Sequence, residues 1–169
     1  MTSLYDSITK IKDGVEDPYC ERNRKLINIV QFIAEQGRPF FVSGGFALVF
    51  SSQKIYRCHG DVDLFFLPQD KDFWLRALAL RGIRFLQNKD LSGKMVIRMV
   101  AEDEVWLGDI KFVDRGNIAD DGYPHRVETN YIGQWVIPTH ATEYVLWTKT
   151  NQSRETRVKD KADLVRYSQ

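Results

Sequence analysis

The sequence predicts an α+β protein, in which short strands alternate with helices that pack against a sheet. Apolar residues recur at helical spacing over 21–36, which indicates an amphipathic helix. Short apolar runs at 40–42 and 62–67 are bounded by glycine or proline and are typical of buried strands. The runs 94–100 and 105–113 flank an acidic turn, so we expect two antiparallel strands there.

Similar patterns predict the remaining elements. Further helices are expected at 1–14, 70–82, 140–148 and 154–167, with Thr139 as the N-cap of the third, and shorter strands at 83–86 and 134–137. Gly116 and Gly122 are expected to flank an irregular loop. With 169 residues, 43% of them hydrophobic, the chain is long enough for one domain with a real core. We expect a core of about residues 20–137 and a C-terminal helical segment of about 138–169.

Charge and cysteine content limit the classes of function. The net charge is +1, so no global positive field favours binding to nucleic acid or to a membrane surface. Cys20 and Cys58 are the two cysteines, and neither a signal peptide nor a membrane span is visible. We therefore predict reduced thiols and a cytoplasmic protein.

Two carboxylates begin the second apolar run. Asp61 and Asp63 are two positions apart, so on an extended strand both side chains point to the same face. Two like charges on an apolar strand are unfavourable unless a cation neutralises them, and this favours a divalent metal site. His59 extends the pattern to His-x-Asp-x-Asp; it either ligates the metal or orients the loop by hydrogen bonds, and we favour the second.

A glycine pair stands between the first strand and the next helix. Gly44 and Gly45 permit close approach to the main chain, and the N-terminus of the helix that follows offers unpaired N–H groups to an anion. A phosphate cradle followed by paired aspartates suits Mg²⁺, which prefers one or two carboxylates together with substrate phosphates. The combination predicts a Mg²⁺–polyphosphate site.

The order of these features resembles the signature of the DNA polymerase β-like nucleotidyltransferases. Their pattern is Gly-Gly or Gly-Ser, then a helix, then Asp-x-Asp. The segments 44–46 (Gly-Gly-Phe) and 57–63 (Arg-Cys-His-Gly-Asp-Val-Asp) are most similar to the small lincosamide and aminoglycoside nucleotidyltransferases. The resemblance implies a nucleotidyltransferase fold with a mixed β-sheet flanked by helices.

The resemblance also implies a third carboxylate on a neighbouring strand, and Asp109 matches that position. Asp61, Asp63 and Asp109 are then the catalytic and metal-binding residues, with Mg²⁺ as cofactor. Asp109 acts either as a metal ligand or as the general base. The alternative is a salt bridge from Asp109 to Lys111 or Arg98.

The nucleoside triphosphate is expected to contact Ser43, Gly44 and Gly45. Arg57 either reaches a phosphate or pairs with the first aspartate of the motif, and both alternatives stay open. Lys159 belongs to a Lys-Asp pair similar to one in the last helix of the small antibiotic-modifying enzymes, where a lysine can touch the triphosphate. A solvated helix face is the alternative for Lys159.

The activity implied is transfer of a nucleoside monophosphate from an NTP to a hydroxyl of a small, antibiotic-like molecule, with release of pyrophosphate. The alternatives are modification of RNA or protein, as in toxin-type nucleotidyltransferases, and an inactive nucleotide-binding module. The dispersed basic residues favour the small acceptor over RNA. We expect a monomer or a homodimer.

Two other enzyme classes use paired aspartates. A glycosyltransferase with an Asp-x-Asp motif would have no evident use for the glycine pair. A phosphatase with an Asp-x-Asp nucleophile would place a small hydroxyl residue where Phe65 stands.

Overall fold

The computed structural model describes residues 2–89, 95–114, 126–151 and 158–168. The helices are α1 (Glu21–Glu35), α2 (Gly44–Ser52), α3 (Lys71–Ala79), α4 (Thr142–Asn151) and α5 (Val158–Tyr167), with a 3-10 turn at Pro68–Asp70. The strands are β1 (Thr9–Lys10), β2 (Phe40–Ser43), β3 (Lys54–Ile55), β4 (Asp63–Phe66), β5 (Arg84–Lys89), β6 (Met95–Val100), β7 (Trp106–Phe112), β8 (Val127–Ile132) and β9 (Trp135–His140).

Within these described residues, seven strands form one mixed sheet in the order β5-β6-β7-β4-β2-β9-β8. The central pairs β4–β7 and β2–β9 are parallel, whereas β2–β4 and both edge hairpins are antiparallel. The prediction of an α+β protein with a mixed sheet and flanking helices is confirmed.

One face of the sheet is covered by helices and forms the hydrophobic core. The apolar side of α1 is fully buried there, and Trp74 of α3 stacks on Phe66 of β4 with ring centroids 4.4 Å apart. Along residues 61–66 burial alternates, since 62, 64 and 66 are buried and 61, 63 and 65 are half-buried. The opposite face therefore receives the odd-numbered residues, including both aspartates.

The C-terminal helices lie beside the glycine-led helix. Val145 of α4 and Tyr167 of α5 pack with Ala47 and Leu48 of α2 in a second, smaller apolar cluster. This packing holds α5 near the N-terminal half of the chain.

Two local predictions are wrong. Residues 4–7 form turns rather than a helix, and β1 pairs with β3 in parallel. The loop predicted between Gly116 and Gly122 lies outside the described residues. Thr139 and His140 end β9 instead of beginning a helix, because pairing with β2 and β8 satisfies the backbone there.

The prediction of two reduced thiols is also wrong in this structure. Cys20, the N-cap of α1, forms a disulfide with Cys58 in the loop before β4. The pair is 38 residues apart in sequence, so the fold alone brings the sulfurs together. In the part of the chain that is described, no helix has the length and apolar character needed to cross a membrane.

Candidate active site

Strand register brings the predicted carboxylates together. Asp63 pairs with Ser43 across the antiparallel β2–β4 ladder. In the parallel β4–β7 ladder Leu64 pairs with Ile110, so Asp109 is the residue beside Asp63 on the next strand. Asp61 precedes β4 by two residues and is half-buried like Asp63.

The surroundings of Asp63 favour its protonated form. Burial, together with the negative charges of Asp61 and Asp109, raises the pKa of Asp63 to about 7. Lys111 and Lys159 act in the opposite direction on the same pKa. The site thus holds more negative charge than it can stabilise alone, which is the electrostatic condition that a cation relieves.

The first glycine places the main chain directly against this carboxylate. Gly44 has φ +65°, a left-handed conformation that favours glycine, and it begins α2. A Cβ atom at Gly44 would lie 2.6 Å from Asp63 Oδ2. The N-terminus of α2 and the aspartate therefore border the same space.

The second glycine is required by a different contact. A Cβ atom at Gly45 would lie 2.7 Å from Nδ1 of His59 and 3.3 Å from NH2 of Arg57. The loop before β4 therefore packs directly beneath the start of α2.

The third carboxylate is held by a partly exposed ion pair. Asp109 Oδ1 accepts from Nε of Arg98 at 3.4 Å, and the two side chains are 21% and 37% exposed. Arg98 also lies over the Trp106 ring, with its guanidinium carbon 5.0 Å from the centroid. The salt bridge from Asp109 to Arg98 is therefore present, and the role of Asp109 as metal ligand or general base stays a prediction.

A backbone contact fixes the spacing between β4 and β7. Gly108 has φ +139°, and a Cβ atom there would lie 1.9 Å from the carbonyl oxygen of Val62. The Val62 N–H also donates to the Leu107 carbonyl at 2.9 Å. Any side chain at position 108 would collide with the main chain at Val62, so only glycine fits there.

A buried asparagine holds the loop that carries the motif. Asn23 of α1 donates through Nδ2 to the carbonyls of Pro18 (3.0 Å) and Arg57 (2.9 Å). Its Oδ1 accepts from the main-chain N–H of His59 at 2.8 Å. Two of the three bonds go to the main chain on either side of Cys58 and the third goes to Pro18, two residues before Cys20, so Asn23 and the disulfide join the same two segments.

Arg57 lies inside a buried ion network. Its Nε and NH2 donate to Oδ1 and Oδ2 of Asp163 at 2.9 and 2.8 Å. Lys149 joins Asp160 at 2.9 Å and Asp163 at 3.2 Å. Although burial opposes it, this pairing raises the pKa of Arg57 and lowers that of Asp163. A pair with Asp61 was one of the two alternatives for Arg57; the guanidinium pairs with Asp163 instead and holds α5 to the loop.

His59 is a packed ring in this structure. The side chain is 2% exposed and its ring centroid lies 4.7 Å from that of Phe46. Burial lowers the pKa of His59 well below its usual range, and the charge of Arg57 adds to this effect, so the ring is neutral. The loop is oriented by the main-chain N–H of His59, while Nε2 has no hydrogen-bond partner among the described residues.

Ser43 has a partner that the sequence did not indicate. Its hydroxyl makes no cap hydrogen bond with α2, and its Oγ lies 2.6 Å from Nδ1 of His140. His140 was assigned to a helix, so the contact was missed. Asn23, Lys149 and Asp163 were missed because no local pattern distinguishes them from ordinary helix residues.

The donor set fits Mg²⁺ with phosphates better than it fits a metal held by protein alone. Among the described residues no group of three His, Cys, Asp or Glu side chains is arranged to hold an ion. Asp61 and Asp63 supply two carboxylates, and the N-terminus of α2 at Gly44 adjoins the second of them. That division of ligands suits Mg²⁺.

A large cavity lies elsewhere. It measures about 840 Å³ and opens between α1, the end of α3 and the turn after β6, lined in part by Ile29, Leu78 and Leu107. None of Asp61, Asp63 and Asp109 lines this cavity.

Comparison with known structures identifies the fold. The chain is similar to lincosamide antibiotic adenylyltransferase LnuA in its lincomycin-bound form, with a TM-score of 0.64 and 16% identity over 90% of this chain and 98% of that one. It is also similar to ANT(2")-Ia in complex with adenylyl-2"-tobramycin, with a TM-score of 0.60 and 15% identity over 84% and 86% of the two chains. No protein-family model and no curated protein matches the sequence. The chain therefore has a nucleotidyltransferase fold.

Proposed function

We propose that this protein is a Mg²⁺-dependent nucleotidyltransferase that moves a nucleoside monophosphate from an NTP to a hydroxyl of a small, antibiotic-like acceptor. The observation that carries the proposal is the contact between Gly44 and Asp63. It joins an anion-binding helix terminus to a carboxylate whose pKa is raised to about 7 by burial and by its acidic neighbours.

Asp61 and Asp63 would hold Mg²⁺, which supplies charge neutralisation for the triphosphate and its leaving group. The main chain at Gly44 and Gly45 would bind the β- and γ-phosphates, with Ser43 and Lys159 beside them. Arg57 contributes by holding the loop, given its buried pairing with Asp163.

The reaction has a simple balance of bonds. The acceptor oxygen forms a bond to the α-phosphorus, the bond from that phosphorus to the bridging oxygen breaks, and pyrophosphate leaves. The acceptor proton passes to a carboxylate, and Asp109 is the candidate because it lies next to Asp63 on β7. Because the protein takes little part in covalent chemistry, substrate positioning and electrostatic stabilisation would provide the rate enhancement.

The acceptor proposal rests on two observations. The two nucleotidyltransferases compared above were solved with lincomycin and with adenylyl-tobramycin. The present chain spans 98% and 86% of those chains, so it has the size of an enzyme of that kind. We propose ATP as the first nucleotide to test, because one of these proteins is an adenylyltransferase and the other was solved with an adenylylated antibiotic.

The test is to incubate the protein with Mg²⁺ and each α-labelled NTP, and to offer lincosamides, aminoglycosides, tRNA or a cell lysate in turn. Label on a small molecule supports the proposal. Label only on tRNA or protein would refute the small acceptor while retaining the transferase. Binding without any transfer would indicate a nucleotide-binding module.

Asp61→Asn combined with Asp63→Asn should abolish transfer while leaving the fold intact by circular dichroism. Asp72→Asn, an exposed change on α3, is the matched control and should keep full activity. Turnover by the double variant would exclude these aspartates as the metal ligands.

A further inference from the structure

We infer that His140 is a positioning residue that orients the Ser43 hydroxyl towards the bound polyphosphate. The inference rests on the proposed function and adds a residue to the phosphate cradle. Its starting point is the 2.6 Å contact between His140 Nδ1 and Ser43 Oγ.

The parallel pairing of β2 and β9 builds this contact. Val42 pairs with Thr139, and the next residue of each strand is Ser43 and His140, respectively. Both strands end at the same edge of the sheet, where α2 begins and Asp63 lies opposite Ser43. Ser43 and His140 therefore lie at the edge of the sheet where Asp63 also lies.

The imidazole ring is held in place by its neighbours. His140 is 2% exposed, and its ring centroid lies 4.8 Å from that of Phe41, 5.3 Å from Phe65 and 4.6 Å from Tyr144. A ring packed on three sides keeps Nδ1 directed at Ser43. The Ser43 hydroxyl is therefore oriented by His140 and not by a capping hydrogen bond to α2.

The chemistry of the pair depends on which atom donates. A serine at an N-cap ordinarily accepts from an N–H of the first turn, yet Ser43 makes no such bond. When Nδ1–H of His140 donates to Ser43 Oγ, the hydroxyl proton remains available to a phosphate oxygen. Anion binding at Gly44 favours this tautomer, because it turns a donor towards the negative charge.

The experiment compares the affinity of single and double variants for a non-hydrolysable NTP with Mg²⁺, measured by calorimetry. Ser43→Ala and His140→Phe should each weaken NTP binding roughly five- to tenfold, the effect of one hydrogen bond. In the Ser43→Ala background, His140→Phe should cause no further loss, because the two side chains act as one unit. Nucleoside monophosphate, which lacks the β- and γ-phosphates, should bind all variants alike.

A second pair of variants tests the atom itself. The side-chain amide of Asn lies near the position of Nδ1, whereas that of Gln lies near the position of Nε2. His140→Asn should therefore keep NTP affinity within about threefold of the wild type. His140→Gln should instead lose affinity as His140→Phe does. This pair decides the question if His140→Phe does not fold. Additive losses in the double variant, or equal losses with Asn and Gln, would overturn the inference. Failure of the wild type to bind NTP would overturn the proposed function instead.

Discussion

The two sides of the carboxylate cluster are supported in different ways. The loop at 56–62, which carries Asp61, is held by a disulfide, by Asn23 and by an ion network whose side chains are at most 8% exposed. The Asp109 strand is hydrogen-bonded to β4 and β6, but the Asp109 side chain itself is held by an ion pair in which Arg98 is 37% exposed. Buried pairs are costly to break, whereas exposed pairs contribute little. The loop that carries Asp61 is thus fixed by buried side chains, whereas the orientation of the Asp109 side chain depends on a contact that is easily exchanged.

The largest expected effect is the loss of the buried ion network. Asp163→Asn leaves Arg57 and Lys149 with reduced compensation in the interior, so the free energy of unfolding should fall by about 3–5 kcal/mol. Asp109→Asn makes the same chemical change in the exposed pair and should cost less than about 1 kcal/mol. Urea denaturation measures both. Equal losses would remove the distinction between the two sides.

Breaking the disulfide is expected to have the next largest effect. Reduction, or Cys20→Ser with Cys58→Ser, should lower the free energy of unfolding by about 2–4 kcal/mol, because the closed loop is long. Cys58 is exposed and accessible to a reductant. Wild type should lose stability on addition of dithiothreitol, and the double variant should not respond. A wild type that is equally stable under both conditions would show that the remaining contacts hold the loop without the disulfide.

Asn23→Ala tests how much an uncharged side chain contributes to holding the loop at 56–62. The main-chain groups at Arg57 and His59 would lose buried partners, so the variant should be less stable by about 2–3 kcal/mol. Asn28→Ala is the matched control, because Asn28 is exposed on the same helix. Thermal denaturation and the rate of transfer should both decline for Asn23→Ala only. A stable but inactive variant would separate orientation of the loop from folding.

The last prediction is that replacing Asp63 stabilises the folded protein by an amount that depends on pH. Asp63 has a pKa raised to about 7 in the folded protein, against about 3.9 unfolded, so its favourable contribution is full below about pH 4 and is lost as pH rises through 7. Without metal, Asp63→Asn should therefore be more stable than wild type at pH 8 and equal to it near pH 4. Melting temperatures across this range measure the difference, with Asp72→Asn as the control. A constant difference at all pH values would exclude titration of Asp63 as the cause.

The sequence was informative where the chemistry is local. The glycine pair and the paired aspartates lie within 20 residues, and their spacing predicted a shared site that the contact of Gly44 with Asp63 supports. The residues that hold this site come from far along the chain. Arg57 and Asp163 are 106 residues apart, and Ser43 and His140 are 97 apart, so no periodicity relates them.

Two local errors have physical reasons. Thr139 before an apolar, aromatic run has the pattern of an N-cap, but its backbone pairs with neighbouring strands, which overrides local preference. The small number of cysteines and the lack of a visible signal peptide favoured free thiols, although proximity in the fold decides whether a disulfide forms.

The backbone contact at Gly108 has a consequence for any mutational library of this chain. A Cβ atom at that position would collide with the main chain at Val62, and no side-chain rotamer can relieve a collision with backbone. Selection for folded protein alone should therefore deplete every substitution at 108, while the next codon, that of Asp109, tolerates change until activity is selected. The two adjacent positions would separate foldability from catalysis in one sequencing experiment.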